Sequence, residues 1–401
     1  MQMFKIKGNK EKRSHKGATG MSNHNGRKVV AVIIISMLII LLVAAGAYLA
    51  LEDLVGGMDI QSFFEDSQAQ QNEEIAASQQ QAFDGYAFLE DNEKQAYARV
   101  VGMLTDFDTE VKVSGVDTEE IERVLAAIDY DYPEIFWAGE FSYYFDEGTQ
   151  KVSKVMVEYP YDEAEKERRQ TEIEAAFQEY SRGIKSGMSD YDKVKYAYEY
   201  VIKNTIYQED LEDDQNIYSV FGKKGSVCAG YSKAIQYLLK RTGIECSYVA
   251  GEAIGQGAHA WNLVRVDGEY YYLDATWGEF NIADNAEPEK SIFYDYFCVT
   301  TAELLKSHHP DQTLIAYPEF TATAANYFVK ENKLYDLNKK SEENRFVDDL
   351  EVALNTGEKY FHYAITDANT IGVAEDLMDD VLGSYYWFSS EDSLSNTIEL
   401  Y

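Results

Sequence analysis

Residues 225–243 read GSVCAGYSKAIQYLLKRTG, and residues 258–274 read AHAWNLVRVDGEYYYLD. In the first stretch Tyr231, Ile235, Leu238 and Leu239 recur at helical spacing, and Gly243 after Lys240-Arg241 is a C-terminal stop. Cys228 therefore falls in the first turn of a helix. A thiol there meets unpaired backbone N–H groups and the positive end of the helix dipole, the setting that favours a reactive thiolate. The second stretch predicts two strands joined at Asp267-Gly268, a strong signal for a two-residue hairpin. In that register Val266 faces Glu269 and Trp261 faces Asp274. His259 then lies on the same face as Trp261, with Asp274 as its diagonal neighbour about 7–8 Å away at the backbone, close enough for their side chains to meet. A three-residue loop would reverse the parity and separate them.

These residue types permit one division of labour. Cys228 attacks an acyl carbon, His259 takes and returns the proton, and Asp274 fixes the imidazole tautomer and stabilises its cation. Taken singly, each has an ordinary alternative: a small buried thiol, a strand histidine, a turn carboxylate. Their conjunction is what points to chemistry.

The segment resembles the transglutaminase-like superfamily of papain-related thiol enzymes. The resemblance rests on Gly225 to Ser232 around Cys228, then Gly251, then His259-Ala260-Trp261-Asn262, then Asp274-Ala275-Thr276-Trp277. It covers about residues 190–280. It implies an α+β fold in which the cysteine helix packs on an antiparallel sheet bearing His259 and Asp274, with acyl transfer through a thioester. Members include cross-linkers, peptidases, amidases and inactive scaffolds, so a non-catalytic binding module of the cell envelope is the alternative function. The oxyanion hole needs the Cys228 N–H and a second donor, for which Gln215 and Tyr218 are the upstream candidates. Trp261, Asn262 and Trp277 are expected to line the cleft. Some members are calcium-activated, which draws attention to Glu209, Asp210, Glu212, Asp213 and Asp214. Their spacing matches no calcium loop and reads as a solvated loop, so no cofactor is expected.

Outside this region, His308-His309-Pro310 reads as a turn rather than a metal site. Cys246 and Cys298 read as buried small hydrophobes, not a disulfide. With only three cysteines in 401 residues, the chain has no disulfide scaffold.

The net charge of -34 argues against nucleic acid as a partner, because 70 acidic residues face 36 basic ones. A hydrophobic content of 45% argues against global disorder. The charge is divided by the apolar run VVAVIIISMLIILLVAAGAYLAL at 29–51, which carries no charged residue. As a helix it would be roughly 34 Å long, enough to cross a bilayer core. Residues 1–28 hold eight bases and one acid, net +7, leaving -41 for 52–401. That bias predicts a single-pass signal-anchor with a cytoplasmic N-terminus and an extracytoplasmic bulk. A buried core helix and a cleaved signal peptide ending near Ala45-Gly46-Ala47 are the alternatives.

The expected order is a basic tail (1–28), a membrane helix (29–51), a Gln-rich stalk (52–82), an N-terminal α/β module (83–189), the catalytic core (190–319) and a C-terminal α/β appendage (320–401). In the appendage the apolar groups suggest strand, helix, strand, helix, strand, beginning with a strand at Tyr327-Phe328-Val329. The substrate expected is an extracytoplasmic protein or peptide.

Overall fold

The computed structural model of the chain describes residues 7–10, 81–209, 211–280, 291–389 and 394–400. The apolar run at 29–51 and the stalk, apart from its last two residues, lie outside the described residues. Among those described, no helix is long and apolar enough to cross a membrane.

The N-terminal module pairs helices α1 (Asp91–Thr105) and α2 (Thr118–Asp131) with a sheet of order β1-β3-β4-β2. Its strands are β1 (Lys7–Lys10), β2 (Glu110–Lys112), β3 (Phe141–Phe145) and β4 (Val152–Val157). β1 runs parallel to β3, and the other pairs are antiparallel. The helical spacing of Ile121, Val124, Leu125 and Ile128 becomes a buried stripe on α2, facing Val100, Leu104 and Val155. Each such burial contributes about 1.5–3 kcal/mol. Asp117 caps α2 by accepting the N–H groups of Glu119 and Glu120.

α3 (Glu163–Ser181) and α4 (Asp190–Asn204) lead into the core. There the two-residue strands β5 (Ile206–Tyr207) and β6 (Gly225–Ser226) pair in parallel immediately before α5 (Cys228–Arg241). α5 lies against α4 and a five-stranded antiparallel sheet of order β12-β9-β8-β7-β13. These strands are β7 (Cys246–Ala253), β8 (Gly257–Val266), β9 (Glu269–Leu273), β12 (Phe297–Val299) and β13 (His308–Pro310), with β10 (Glu279–Phe280) and β11 (Ser291–Ile292) as a side ribbon. Asp267 and Gly268 both take positive φ, 51° and 92°, as a two-residue hairpin with matching twist requires. The register follows: Val266 pairs with Glu269 and Asn262 with Leu273.

Two local expectations need correction. His308-His309-Pro310 is not a turn; it is strand β13, pairing with Gly251 to Ala253 at the sheet edge. Gly251 makes that approach possible, since a Cβ there would sit 2.2 Å from the His309 carbonyl oxygen and 2.6 Å from the Trp261 ring. Tyr327-Phe328-Val329 is not a strand but the start of a short helix, α7 (Tyr327–Lys330), which follows α6 (Thr301–Leu304). The Asn326 side chain accepts the Phe328 N–H and turns the chain there. The first strand of the appendage is β14 (Leu334–Tyr335), followed by α8 (Lys340–Thr356), β15 (Tyr360–Ile365), α9 (Ile371–Val381), β16 (Tyr386–Ser389) and β17 (Ser395–Glu399). Its sheet has the order β14-β15-β17-β16.

Candidate active site

α5 begins without a side-chain cap and without an acidic residue in its first turn. α2, α3 and α4, by contrast, are capped by Asp117, Asp162 and Ser189. The first N–H groups of α5 therefore have neither an intrahelical acceptor nor a capping one. Cys228 is the first residue of that helix and is 6% exposed, packed with Ala229, Tyr248, Ala250 and Ala260. A hydrogen bond between Cys228 and His259 contributes to the electrostatics of the imidazole, which places the thiol beside it.

His259 donates from Nε2 to Asp274 Oδ2 at 2.6 Å. A carboxylate can only accept, so this contact sets the tautomer and leaves Nδ1 for the thiol. Burial by itself would lower the His259 pKa. The Asp274 charge and hydrogen bond, with a further contribution from a hydrogen bond to Cys228, outweigh it, and the value is pushed up to about 10. Burial would likewise raise Asp274, but His259 and then His308 hold its carboxyl far below the usual carboxylate range. Its other oxygen, Oδ1, accepts the Thr276 N–H at 2.8 Å, the Thr276 hydroxyl at 2.6 Å and the Trp277 N–H at 3.3 Å. Every lone-pair direction of Asp274 is thus occupied, and its rotamer is held from both ends.

The sequence reads His308 as part of a turn, with no periodic or motif signal that ties it to Cys228, His259 or Asp274. The structure puts it in the site. Its Nε2 lies 3.1 Å from Asp274 Oδ2 and its Nδ1 2.7 Å from Ser307 Oγ, which is 2.5 Å from the Tyr296 hydroxyl. Nε2–H donates to the Asp274 carboxylate, which can only accept, and the Ser307 and Tyr296 hydroxyls continue the chain from Nδ1. The ring is fully buried between Trp277 and Trp261, at centroid distances of 4.5 and 5.0 Å. His259, Asp274 and His308 bring possible metal-ligand atoms within 4.8 Å of one another. The 2.6 Å separation of His259 Nε2 and Asp274 Oδ2 is nonetheless that of a shared proton. Two ligands about 2.0–2.2 Å from one tetrahedral ion stand farther apart.

The remaining expected site residues separate. Trp277 is half-buried, with its ring 6.0 Å from that of His259. Trp261 is fully buried in the cluster beneath the sheet and Asn262 is 1% exposed, so neither lines a cleft. Asn262 instead donates to the Ser232 carbonyl at 2.9 Å, tying β8 to α5. Alternation along β8 sends both side chains into packed layers, one on each face of a sheet covered on both sides. Tyr218 does not turn toward Cys228: its hydroxyl donates to Glu172 and accepts from Arg168 on α3. Gln215 lines a cleft together with Ala229, the residue after the thiol. In the acidic loop, Asp213 is ion-paired with Arg169 at 2.5 Å, and Asp210 lies outside the described residues. Cys246 and Cys298 are free thiols, both pushed up by burial.

One further residue approaches the thiol. Tyr207 pairs through β5 with Ser226 and is 38% exposed. Burial first, then the proximity of Cys228, raises its hydroxyl to about 12.

The sequence profile of the transglutaminase-like superfamily matches residues 178–275. Kyphoscoliosis peptidase from Homo sapiens is 28% identical over 97 residues, which is 21% of this chain and 14% of that protein, and the Mus musculus protein matches to the same extent. The chain thus spans about one seventh of the curated relatives it matches. A crystal structure of a TGase is similar at 15% identity with a TM-score of 0.26, over 43% of this chain and 51% of that one. The cysteine helix, the hairpin carrying His259 and Asp274, and the matched span coincide, and residues 178–275 are a domain of the transglutaminase-like superfamily.

Proposed function

We propose that the chain is a thiol enzyme, anchored by residues 29–51 and facing away from the cytoplasm, that opens amide or peptide bonds of an extracytoplasmic protein or envelope peptide. The carrying observation is the 2.6 Å contact between His259 Nε2 and Asp274 Oδ2, which dedicates Nδ1 to Cys228. Cys228 passes its proton to Nδ1 and its sulfur adds to the acyl carbon. The negative charge on the carbonyl oxygen is met by the Cys228 N–H and, in this reading, by the Gln215 side chain. The imidazolium returns its proton to the leaving nitrogen as the C–N bond breaks, and a thioester remains. Water, deprotonated by His259, then releases the acid. The name of the similar curated protein, a peptidase, supports acyl transfer. Hydrolysis is preferred over transamidation because water needs no second substrate site.

The test incubates the full chain and its Cys228→Ala variant with an unfolded protein substrate, with and without a fluorescent primary amine. Cleavage by the wild type alone supports hydrolysis, and amine incorporation redirects the reading to transamidation. Identical outcomes for both chains sink catalysis and favour a binding module. Topology is tested separately by proteolysis of intact cells, which should degrade residues 81–401 and spare the basic tail. The anchored topology requires β1 to part from β3 in the membrane-bound chain, because a membrane between them excludes the pairing; a tail that is degraded with the rest favours the pairing and removes the anchored topology.

A further inference from the structure

The wall beside the thiol is not built by the core alone. A cleft of about 540 Å³, within the usual size range of ligand sites, lies between α2 of the N-terminal module and α5 and β7 of the core. Its core side includes Ala229, Lys233, Tyr248 and Ala250. Three of these belong to the cluster that packs around Cys228, with Tyr130 of α2 lying against it. The Tyr130 and Tyr248 rings meet 5.2 Å apart across the junction. Whatever fills the cleft therefore touches the shell of the thiol.

The two walls are docked firmly. Lys233 Nζ reaches Asp129 Oδ1 at 2.5 Å, and Gln236 donates to the Tyr130 carbonyl at 2.8 Å. The lining combines an apolar bed, including Leu125, Phe136 and Leu314, with an acidic rim. Within that rim Asp129 is matched by Lys233, Asp213 by Arg169, and the lining cation Arg123 by Glu93. Glu119, Glu122 and Asp311 also line the cleft, and among the described residues no cation is ion-paired with any of them. An occupant gains by bringing positive charge to this rim and apolar side chains to the bed.

Resting on the thiol-enzyme reading, we propose that the cleft is the substrate-selecting subsite, and that it takes a peptide segment carrying lysine or arginine beside apolar residues. The 83–189 module is then half of the substrate groove. The geometry makes this a specificity device for Cys228, because a segment bound along Ala229 and Ala250 has its next residues beside the sulfur.

The test uses binding, which does not depend on turnover. The full-length Cys228→Ala chain is titrated with fluorescent acetylated peptides alternating leucine with lysine or leucine with glutamate. The lysine peptide should bind about tenfold or more tightly than the glutamate peptide, the effect of a few exposed ion pairs, and should weaken with salt. In Glu119→Gln/Glu122→Gln/Asp311→Asn that preference should disappear. Ala126→Trp, which fills the cleft from α2, should abolish binding while far-ultraviolet circular dichroism stays unchanged. Equal binding of the two peptides, or a preference that survives the triple substitution, overturns the proposal. Wild-type Cys228 alkylation no faster than that of a free peptide thiol would sink the thiol-enzyme reading alone, because the binding titration stands apart from it.

Discussion

Asp274→Asn isolates the carboxylate charge with almost no change of volume. At Oδ1 the position is surrounded by donors, the N–H groups of Thr276 and Trp277 and the Thr276 hydroxyl. An asparagine must therefore place its oxygen there and turn its NH2 toward the nitrogens of His259 and His308. Two donors would then oppose each other at Nε2 unless His259 changes tautomer, which puts its proton on Nδ1, facing the thiol it should deprotonate. The charge effect runs the same way. His259 stands at about 10 because Asp274 outweighs burial; without the carboxylate, burial returns it to its ordinary 6.5 or lower. That difference is about 4–5 kcal/mol, and with the wrong tautomer it predicts a loss in kcat of about 10³-fold or more. The sign in pH is fixed by the direction of the shift. The wild-type His259 imidazolium persists until pH rises through about 10, whereas in the variant it is lost near the ordinary histidine value. The assay is iodoacetamide alkylation of the full chain from pH 5 to 11, read at the Cys228 peptide, beside turnover of the same samples. Cys246 and Cys298 should stay unlabelled, being buried with thiols pushed up. A variant within tenfold of wild-type turnover, with its alkaline limb still near pH 10, refutes the argument.

His308→Ala should lower kcat about tenfold with KM unchanged, since it removes one hydrogen bond to a charged acceptor, worth about 1.5–3 kcal/mol, and touches no substrate. His308→Gln, which keeps a donor, should recover part of the loss; wild-type kcat in the alanine variant removes His308 as a positioning residue. Asp131 offers a stability test remote from the site. Its buried carboxylate accepts from Gly85, Tyr86 and Tyr97, and burial, reinforced by Asp84, pushes it up to about 7. A raised folded-state value means that its protonation stabilises the fold below about pH 4 and that this contribution is lost as pH rises through about 7. Asp131→Asn should melt lower at pH 5, because its NH2 meets a backbone donor, yet its melting temperature should hardly change from pH 5 to 8 while that of the wild type falls. Parallel curves would contradict the assignment.

Much of the site is legible before folding because its determinants are short-range. A period of 3.6 and a glycine stop define α5 and put Cys228 at its start. Asp267-Gly268 supplies the positive φ values of a two-residue turn, and the parity of the hairpin then puts His259 and Asp274 on one face. The rest depends on contacts between distant segments. His308 reaches Asp274 only because β13 returns to the far edge of the sheet, 34 residues on, through a gap that Gly251 leaves open. Trp261 and Asn262 flank His259 in sequence but are buried by layers on both sides of the sheet, and Tyr218 is drawn to Arg168 and Glu172 by where α3 lies. The wall that α2 contributes beside Cys228 has no sequence signal at all. Periodicity and turn chemistry are encoded over a few neighbouring residues, whereas sheet order, burial and the docking of one module on another are settled only by which surfaces exclude water together.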